Sequence, residues 1–215
     1  MKKRINVLMG VLFSATVVCA QISTMPKGPW KQLFGKDMLK PGSGWSFSGF
    51  PPWSMEGDSI LNAKGGTVKT FMVWNEPIKD MEFEITYKLS STAANGGFQI
   101  RSVCSDKSKT APTCGGTYSI CGVQLDVAND YSGRLFEECF AFLAFSGQNI
   151  DNCRRTLKVG EWMTTTSIIK GNQSSVWLNG VWCLDYTLTK VDNLQGTIFA
   201  LQSHPPFDLI QYKSI

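Results

Sequence analysis

Three pairs of polar residues interrupt otherwise apolar segments, and each pair joins a side-chain amide to an ionisable group. The pairs are Gln99 with Arg101, Gln124 with Asp126, and Gln202 with His204. Alternate residues of a β-strand point to the same side, so each pair is predicted to share one strand face. Amides bind hydroxyl groups, whereas a carboxylate or an imidazole can move a proton. One pair alone also fits the solvent side of a strand, but three successive pairs favour a single concave polar site that includes Asn95.

The chain also contains seven tryptophans, whose rings can stack on the C–H face of a sugar. We assign Trp177 to the predicted site as a binding platform. Trp162 and Trp182 are predicted to belong to the core, because a tryptophan on a strand is more often buried than exposed. A site that combines aromatic, amide and carboxylate groups points to a carbohydrate ligand.

The segments that carry these residues have the pattern of β-strands. From Met81 to Ser90, five apolar residues alternate with five polar ones, which predicts a strand with one buried face. Asn179-Gly180 lies between two β-prone runs and predicts a type I′ hairpin. The remaining predicted strands cover residues 45–50, 53–56, 59–62, 68–74, 97–102, 119–127, 140–145, 162–170, 197–202 and 209–215.

Helical signals are weak along the whole chain. No long stretch has a convincing helical stripe of apolar residues, and turns rich in Gly, Asn, Asp and Ser separate most of the predicted strands. About 195 residues remain after the predicted leader, which suits one domain. The fold class predicted from the residues is therefore all-β, with two antiparallel sheets packed as a sandwich.

The first 20 residues have the pattern of a secretory signal peptide. A charged start at Lys2-Lys3-Arg4 precedes an apolar stretch that is too short for a membrane span, and small residues precede Gln21. We predict a leader over residues 1–20 and a single domain over residues 21–215. The expected location is secreted or periplasmic, with no membrane span after cleavage. A lipid anchor on Cys19 is the alternative, which the bulky Val18 disfavours.

Six cysteines remain after the leader, and an even number in an oxidising compartment predicts disulfides. Sequence proximity suggests that Cys104 pairs with Cys114 or Cys121, and that Cys139 pairs with Cys153. No C-x-x-C spacing occurs, so a redox or zinc-knuckle function is disfavoured.

Charge and histidine content exclude other functions. The formal net charge of +4 falls to +1 without the three basic residues of the leader (4 − 3 = +1), and no cluster of Lys and Arg remains. Nucleic-acid binding is therefore not expected. The single histidine argues against a His-rich zinc site, although any other metal requirement stays open. We predict no cofactor.

Several short motifs occur together in an order that resembles one family. The matching segments are Phe34-Gly35-Lys36-Asp37, Gly44-Trp45, Asn95-Gly96-Gly97-Phe98-Gln99-Ile100-Arg101, Gln124-Leu125-Asp126, Gly133 to Phe136, Gly160-Glu161-Trp162, Trp177-Leu178-Asn179-Gly180 and Leu201-Gln202-Ser203-His204. They resemble motifs of the 3-keto-disaccharide hydrolase family, also described as 3-keto-glucoside lyase/hydratase. The likeness spans residues 30–215.

The resemblance implies a concanavalin/laminin-G-like jelly roll with a sugar site on its concave sheet. It also implies cleavage of a glycosidic bond in a sugar already oxidised at C3. A ketone at C3 acidifies the C2 proton, so a base can remove it and expel the C1 substituent before water adds. In this scheme His204 or Asp126 is the base and Arg101 stabilises the enolate. The residues expected to bind substrate are Asn95, Gln99, Gln124, Gln202 and Trp177.

The sequence departs from the family at four places. Gly122 stands where the family has an acidic residue, Val176 replaces a histidine, the closing motif is Tyr212 to Ile215, and a cysteine-bearing insertion covers residues 102–120. The main alternative is a carbohydrate-binding module or lectin of the same fold. A structural secreted protein is another. A two-carboxylate glycosidase is the last, with Glu137-Glu138 as its only adjacent acidic pair.

Overall fold

The computed structural model describes residues 30–47, 53–64, 68–106, 108–111, 113–114, 120–139, 144–145, 149–189, 195–204 and 209–215. The predicted leader over residues 1–20 and Cys19 lie outside the described residues, as does most of the strand predicted at 140–145. In the described part of the chain, no helix has the length and apolarity needed to cross a membrane.

Fourteen strands and one short helix make up the regular structure of the described residues. In chain order they are β1 (Trp45–Phe47), β2 (Trp53–Glu56), β3 (Ile60–Ala63), β4 (Thr70–Trp74), β5 (Met81–Leu89), β6 (Asn95–Cys104), β7 (Ile120–Ala128), β8 (Leu135–Glu138), β9 (Ala144–Phe145), α1 (Ile150–Arg154), β10 (Met163–Lys170), β11 (Gln173–Leu178), β12 (Val181–Thr187), β13 (Ile198–Ser203) and β14 (Ile210–Ser214).

These strands form two antiparallel sheets, so the predicted all-β two-sheet sandwich is confirmed. Sheet A has the order β1-β4-β13-β6-β7-β8-β9, and sheet B has the order β12-β11-β10-β5-β14-β3-β2. Long crossovers bring β13 between β4 and β6, and β14 between β3 and β5. Strands that are distant in sequence are therefore neighbours in each sheet.

The two best sequence signals produce the expected elements. β5 runs from Met81 to Leu89, and its alternate residues Phe83 and Ile85 lie in the core between the sheets. Asn179 and Gly180 have φ values of 50° and 76°, as a type I′ turn requires at both central positions. The alternation of apolar and polar residues therefore determines which face of β5 is buried.

The tryptophans divide differently from the prediction. The core contains Trp45, Trp53 and Trp74, whereas Trp162 and Trp182 are half-buried, so their assignment to the core is wrong. Trp162 lies on the outer surface of sheet B, where the amines of Lys88 and Lys213 lie 4.9 and 4.6 Å from its ring centre. Both ammonium groups lie over the indole ring, which remains partly exposed to solvent.

Three disulfides join the six cysteines of the predicted domain. Cys104 bonds Cys114, which confirms one of the two expected pairings for Cys104. The other bonds join Cys121 to Cys139 and Cys153 to Cys183, so the expected Cys139–Cys153 bond is wrong. Proximity along the chain fails here because pairing of β7 with β8 brings Cys121 near Cys139.

Candidate carbohydrate site on the outer face of sheet A

Three glutamines lie on the face of sheet A that points away from sheet B. Gln99, Gln124 and Gln202 come from β6, β7 and β13, which are adjacent strands. The residue next to each glutamine points into the core: Phe98, Leu125 and Leu201. Strand alternation thus places all three amides on the outer face, as the sequence predicts for these residues. We call Gln99, Gln124 and Gln202 the amide cluster.

The amide cluster is held together by side-chain hydrogen bonds. The Nε2 atoms of Gln99 and Gln202 both donate to Oε1 of Gln124, at 2.6 and 2.7 Å. Ser102 Oγ donates to Gln99 Oε1 at 3.0 Å. The three side chains are 0–5% exposed, so they form the buried floor of the site. A buried amide needs partners of this kind because an unpaired polar group is costly to bury.

Gly97 makes room for the cluster. It lies opposite Asp126 on one side and Gln202 on the other. A β-carbon at Gly97 would lie 2.6 Å from the Cγ and Cδ atoms of Gln124, which is closer than any real contact. The missing side chain lets Gln124 lie across β6 and reach both neighbouring amides.

Two charged residues that sequence reasoning did not include complete the cluster. Glu138 Oε2 accepts hydrogen bonds from Gln99 and Gln202 at 3.0 and 2.9 Å, and Glu138 Oε1 pairs with the amine of Lys69. Lys69 precedes β4 and Glu138 ends β8, so they come from distant strands of one sheet. Their side chains meet across the three strands that lie between them in sheet A. The alternation of inward and outward side chains from Leu135 to Glu138 is the sequence feature that could have placed Glu138 on the outer face.

Lys69 is partly buried beside the carboxylate of Glu138. Burial lowers the pKa of Lys69, because the charged ammonium loses water. Glu138 supplies the negative charge beside it, with its side chain only 9% exposed. The pair therefore places a cation and an anion directly over two glutamine amides.

Asp126 lies beside the amide cluster and is half-buried. Burial raises the pKa of Asp126 to about 7, although the hydrogen bond from Gln124 and the charge of Arg134 act in the opposite direction. The Nε2 atom of Gln124 donates to Oδ1 of Asp126 at 2.8 Å. A carboxylate with this pKa can both accept and release a proton near neutral pH.

His204 and Asn95 lie at one end of the same face. The backbone N–H of His204 donates to the carbonyl of Asn95 at 3.3 Å, directly after the last paired residues of β13 and β6. Both side chains are half-buried. Strand alternation puts His204 on the side of Gln202, and Asn95 on the side of Gly97. Asp126, His204 and Asn95 thus form the accessible rim of the site.

Arg101 lies elsewhere, and the prediction that it shares a face with Gln99 is wrong. Its φ is +46°, and the register of β6 and β7 shifts between Ile100 and Val103, which marks a β-bulge. The bulge turns the side chain toward sheet B. There the guanidinium donates to Asp80 at 2.6 Å and to the carbonyl of Gly171, and it is 1% exposed.

Trp177 is also separated from the amide cluster. Its neighbours Val176 and Leu178 both point into the core, so Trp177 lies on the outer face of sheet B. It pairs with Trp182 on the adjacent strand and is 6% exposed. The expectation that Trp177 lines the same site is therefore wrong, because the two sheets turn their outer faces in opposite directions.

The described residues of the cysteine-bearing insertion pack on part of the outer face of sheet A. A second apolar cluster lies there, and it joins residues of three strands to the Cys104–Cys114 disulfide. Its other members are Phe71, Val73, Ile120, Ile198 and Ala200. The described part of the insertion thus covers one side of the face, and Asp126 and His204 are half-buried.

The described residues contain no group of three or more His, Cys, Asp or Glu side chains arranged to hold a metal ion. Glu137 does not add a second carboxylate to the site, because it pairs with Val123 and points toward the core side of sheet A. The outer face carries the acid–base groups of Asp126, Glu138, Lys69 and His204.

The family of the chain follows from its sequence. The sequence profile of the 3-keto-alpha-glucoside-1,2-lyase-like domain matches residues 29–215. The chain therefore belongs to this family, and it is a glycosyl hydrolase-like, carbohydrate-active domain. No curated protein sequence matches the chain.

Solved structures share the fold at low sequence identity. A candidate glycosyl hydrolase from Parabacteroides distasonis has a TM-score of 0.56 and 20% identity, covering 86% of this chain and 96% of that one. A second from the same organism has a TM-score of 0.55 and 14% identity, with coverage of 80% and 87%. The exoplasmic/lumenal domain of VIP36, bound to Ca²⁺ and Man3GlcNAc, has a TM-score of 0.52 and 13% identity, with coverage of 85% of both chains. These similarities establish the jelly-roll fold.

Proposed function

We propose that the chain cleaves glycosides whose sugar carries a ketone at C3. A base removes the C2 proton, the C1–O bond breaks, and the leaving oxygen receives a proton. The resulting C1=C2 double bond then adds water, with hydroxide at C1 and a proton at C2. The net reaction is hydrolysis, and it has no need for the two carboxylates of an ordinary glycosidase.

Asp126 and His204 are the proposed proton-transfer residues. Asp126 is favoured as the base because its pKa of about 7 leaves a substantial fraction ionised at neutral pH while keeping it a stronger base than an ordinary carboxylate. His204 lies on the same face at the end of β13. It is the proposed donor to the leaving oxygen, since an imidazole can carry and release a proton.

We assign the enolate-stabilising charge to Lys69 in place of Arg101. Arg101 is engaged with Asp80 and Gly171 near sheet B. Lys69 pairs with Glu138 directly beside the amides of Gln99 and Gln202. In this arrangement a substrate oxyanion replaces Glu138 as the partner of Lys69, and Asn95, Gln99, Gln124 and Gln202 orient the sugar hydroxyls.

One observation carries the proposal: the amide cluster and a carboxylate with a pKa near 7 share one face of the sheet, in a chain of this family. Hydroxyl-binding amides without a proton acceptor would suit binding alone. A proton acceptor without the amides would have nothing to orient a sugar. Their direct hydrogen bond, from Gln124 to Asp126, couples the two.

The test is turnover of a methyl 3-keto-glucoside by matched variants. The chain is expected to release methanol, and Asp126→Asn and His204→Gln are each expected to lower kcat/KM by at least about 100-fold, the size of a general acid–base contribution. Asp58→Asn is the control, because Asp58 is an exposed aspartate in the turn between β2 and β3. Equal turnover by Asp126→Asn and the wild type would refute the assignment of the base.

A non-catalytic carbohydrate-binding domain is the second candidate. It is favoured by the absence of the Arg101 guanidinium from the amide cluster. The VIP36 domain, whose structure holds a mannose-containing sugar, shares the fold. Binding of a glycan by the wild type without release of any product from 3-keto-glycosides would support this candidate over the enzyme.

A further inference from the structure

Two lysine amines converge on one half-buried tryptophan on the outer face of sheet B. The Nζ atoms of Lys88 and Lys213 lie 4.9 and 4.6 Å from the ring centre of Trp162. The two amines are therefore within about 10 Å of each other, about one Debye length at 0.1 M salt, so their repulsion is only partly screened. A negative charge placed beside both would relieve it. We call Lys88 and Lys213 the lysine pair.

Three neighbouring strands of sheet B, in the order β10-β5-β14, bring these side chains together. Core residues flank Lys88 on both sides along β5, so its side chain points to the outer face. Met163, the first residue of β10, pairs with Tyr87, which puts Trp162 beside Lys88. Lys213 lies at the β-bulge where the register of β14 on β5 shifts. Its amine therefore reaches across β5 to the indole.

In the part of the chain that the structure describes, no carboxylate forms an ion pair with the lysine pair. Two glutamates of this region have other partners. Glu161 pairs with Lys158 at 3.4 Å, and Glu56 accepts hydrogen bonds from two side-chain amides at 3.0 and 3.4 Å. Glu84 is on the same face of β5 but four residues from Lys88, which is about 13 Å along a strand. The two positive charges are thus available to a ligand.

Side chains that can bind hydroxyl groups lie next to the lysine pair. Gln211 is opposite Lys88 in the sheet, and Asn62 is opposite Gln211. The Nε2 atom of Gln211 donates to Oδ1 of Asn62 at 3.0 Å, which orients both amides. On the side of β10, the hydroxyls of Thr86 and Thr164 lie 3.2 Å apart. Asn62 and Thr164 are only half-buried, so a ligand held by the amines would find uncharged hydrogen-bonding groups beside it.

We propose that Trp162 and the lysine pair form a binding site for acidic saccharides, separate from the amide cluster. The negatively charged group, a uronate carboxylate or a sulfate ester, lies between the two ammonium groups. The sugar ring lies against the exposed part of the indole, and its hydroxyls reach Asn62 and Thr164.

The neighbours of the lysine pair favour a saccharide over an acidic peptide. An indole, two amides and two hydroxyls suit a ring that carries hydroxyl groups, and the chain is a carbohydrate-active domain. Sheet B carries this site and sheet A carries the amide cluster. The inference therefore does not depend on the proposed cleavage of 3-keto-glycosides.

The experiment follows the indole N–H signal of Trp162 in ¹⁵N-labelled full chain, at constant ionic strength, with Trp162→Phe to assign the signal. The probes are methyl glucuronide, glucose-6-sulfate, neutral methyl glucoside, inorganic sulfate and a hexaglutamate peptide. The test variant is Lys88→Gln/Lys213→Gln. Its matched control is Lys79→Gln/Lys170→Gln, which removes two exposed lysines at the opposite end of β5 and β10.

We expect at least one of the two acidic sugars to bind about tenfold more tightly than methyl glucoside and inorganic sulfate, and the tighter one identifies the anionic group. The test variant should lose this preference, because both charged contacts are removed, whereas the control variant should bind like the wild type. The test variant should also retain wild-type turnover of the methyl 3-keto-glucoside if the chain is an enzyme, since it leaves sheet A intact.

Three results would overturn the proposal. The first is equal binding of neutral and acidic sugars, or unchanged binding of the acidic sugars by Lys88→Gln/Lys213→Gln. The second is binding of inorganic sulfate as tight as that of the acidic sugars, which would leave a simple anion site. The third is tighter binding of the hexaglutamate peptide, which would point to an acidic protein as the partner.

Discussion

Replacing Gln124 by methionine tests the coupling between the amide cluster and Asp126. Gln124 accepts from Gln99 and Gln202, and it donates to Asp126. Methionine has a similar shape and no amide, so all three hydrogen bonds are lost while the space stays filled. Gln124→Met is expected to affect both the stability of the domain and the proton affinity of Asp126.

The expected magnitudes follow from these three bonds. The hydrogen bond from Gln124 lowers the pKa of Asp126 against the effect of burial. A bond to a charged group contributes about 1.5–3 kcal/mol, so its loss should raise the pKa of Asp126 from about 7 by roughly one to two units. The amides of Gln99 and Gln202 each keep Glu138 as a partner, so the free energy of unfolding should fall by about 2 kcal/mol rather than by the sum of three broken bonds.

The pKa is measured from the carboxyl ¹³C shift of Asp126 across pH, and the unfolding free energy from urea denaturation. If the chain is an enzyme, the rising limb of kcat/KM against pH should move to higher pH by the same amount, since it reports the free enzyme's base. Gln173→Met is the control, because Gln173 lies on β11, and its side chain contacts Asn172 and Thr187. An unchanged Asp126 titration in Gln124→Met would refute the coupling.

Three further predictions concern the same face and the bulge beside it. The raised pKa of Asp126 means that the folded state holds an extra proton between about pH 4 and pH 7; this contribution to stability is present below pH 4 and is lost as pH rises through 7. Urea denaturation should therefore show a fall in stability over that interval which is smaller in Asp126→Asn. Gly97→Ala should displace the Gln124 side chain and lower the free energy of unfolding by about 1–3 kcal/mol. Native-like stability together with unchanged NMR signals of the Gln124 side chain would contradict the close contact between Gly97 and Gln124. Arg101→Met should lower the free energy of unfolding by about 2 kcal/mol, because buried charged hydrogen bonds are lost. The control Arg154→Met removes a largely exposed ion pair and should cost less than about 1 kcal/mol. Equal effects of the two variants would show that Arg101 is not structurally important.

Much of the fold is encoded in local patterns that can be recognised without coordinates. The alternation in β5 and the Asn179-Gly180 turn depend on neighbouring residues alone, and both elements form where they were expected. β8 and α1 were not predicted. Their segments are short, and α1 is held by the Cys153–Cys183 bond rather than by a strong apolar stripe.

The candidate site was only partly predictable, for reasons of geometry. Alternation correctly put three glutamines on one face, because β6, β7 and β13 are regular there. It failed at Arg101, since a bulge of one residue reverses the side on which the following residues point. Lys69 and Glu138 were missed because their contact joins β4 and β8, which are four positions apart in sheet A, and no sequence spacing reports it.

The prediction of a Cys139–Cys153 disulfide failed for a similar reason. Cys139 is closer in sequence to Cys153 than to Cys121, yet β7 and β8 pair so that Cys121 lies beside the end of β8. The bond then anchors the residue directly after Glu138, which holds the amides of Gln99 and Gln202. Sequence proximity is thus a poor guide to bonds between paired strands.

The central claim is that this face of sheet A removes the C2 proton of a 3-keto-glycoside. The most direct test is incubation of a 3-keto-glucoside with the wild type in D₂O, followed by NMR of the sugar product. The account predicts a released 3-keto sugar with deuterium at C2, and loss of this labelling in Asp126→Asn. Product that retains protium at C2 would contradict the claim, because cleavage would then have proceeded without breaking the C2–H bond.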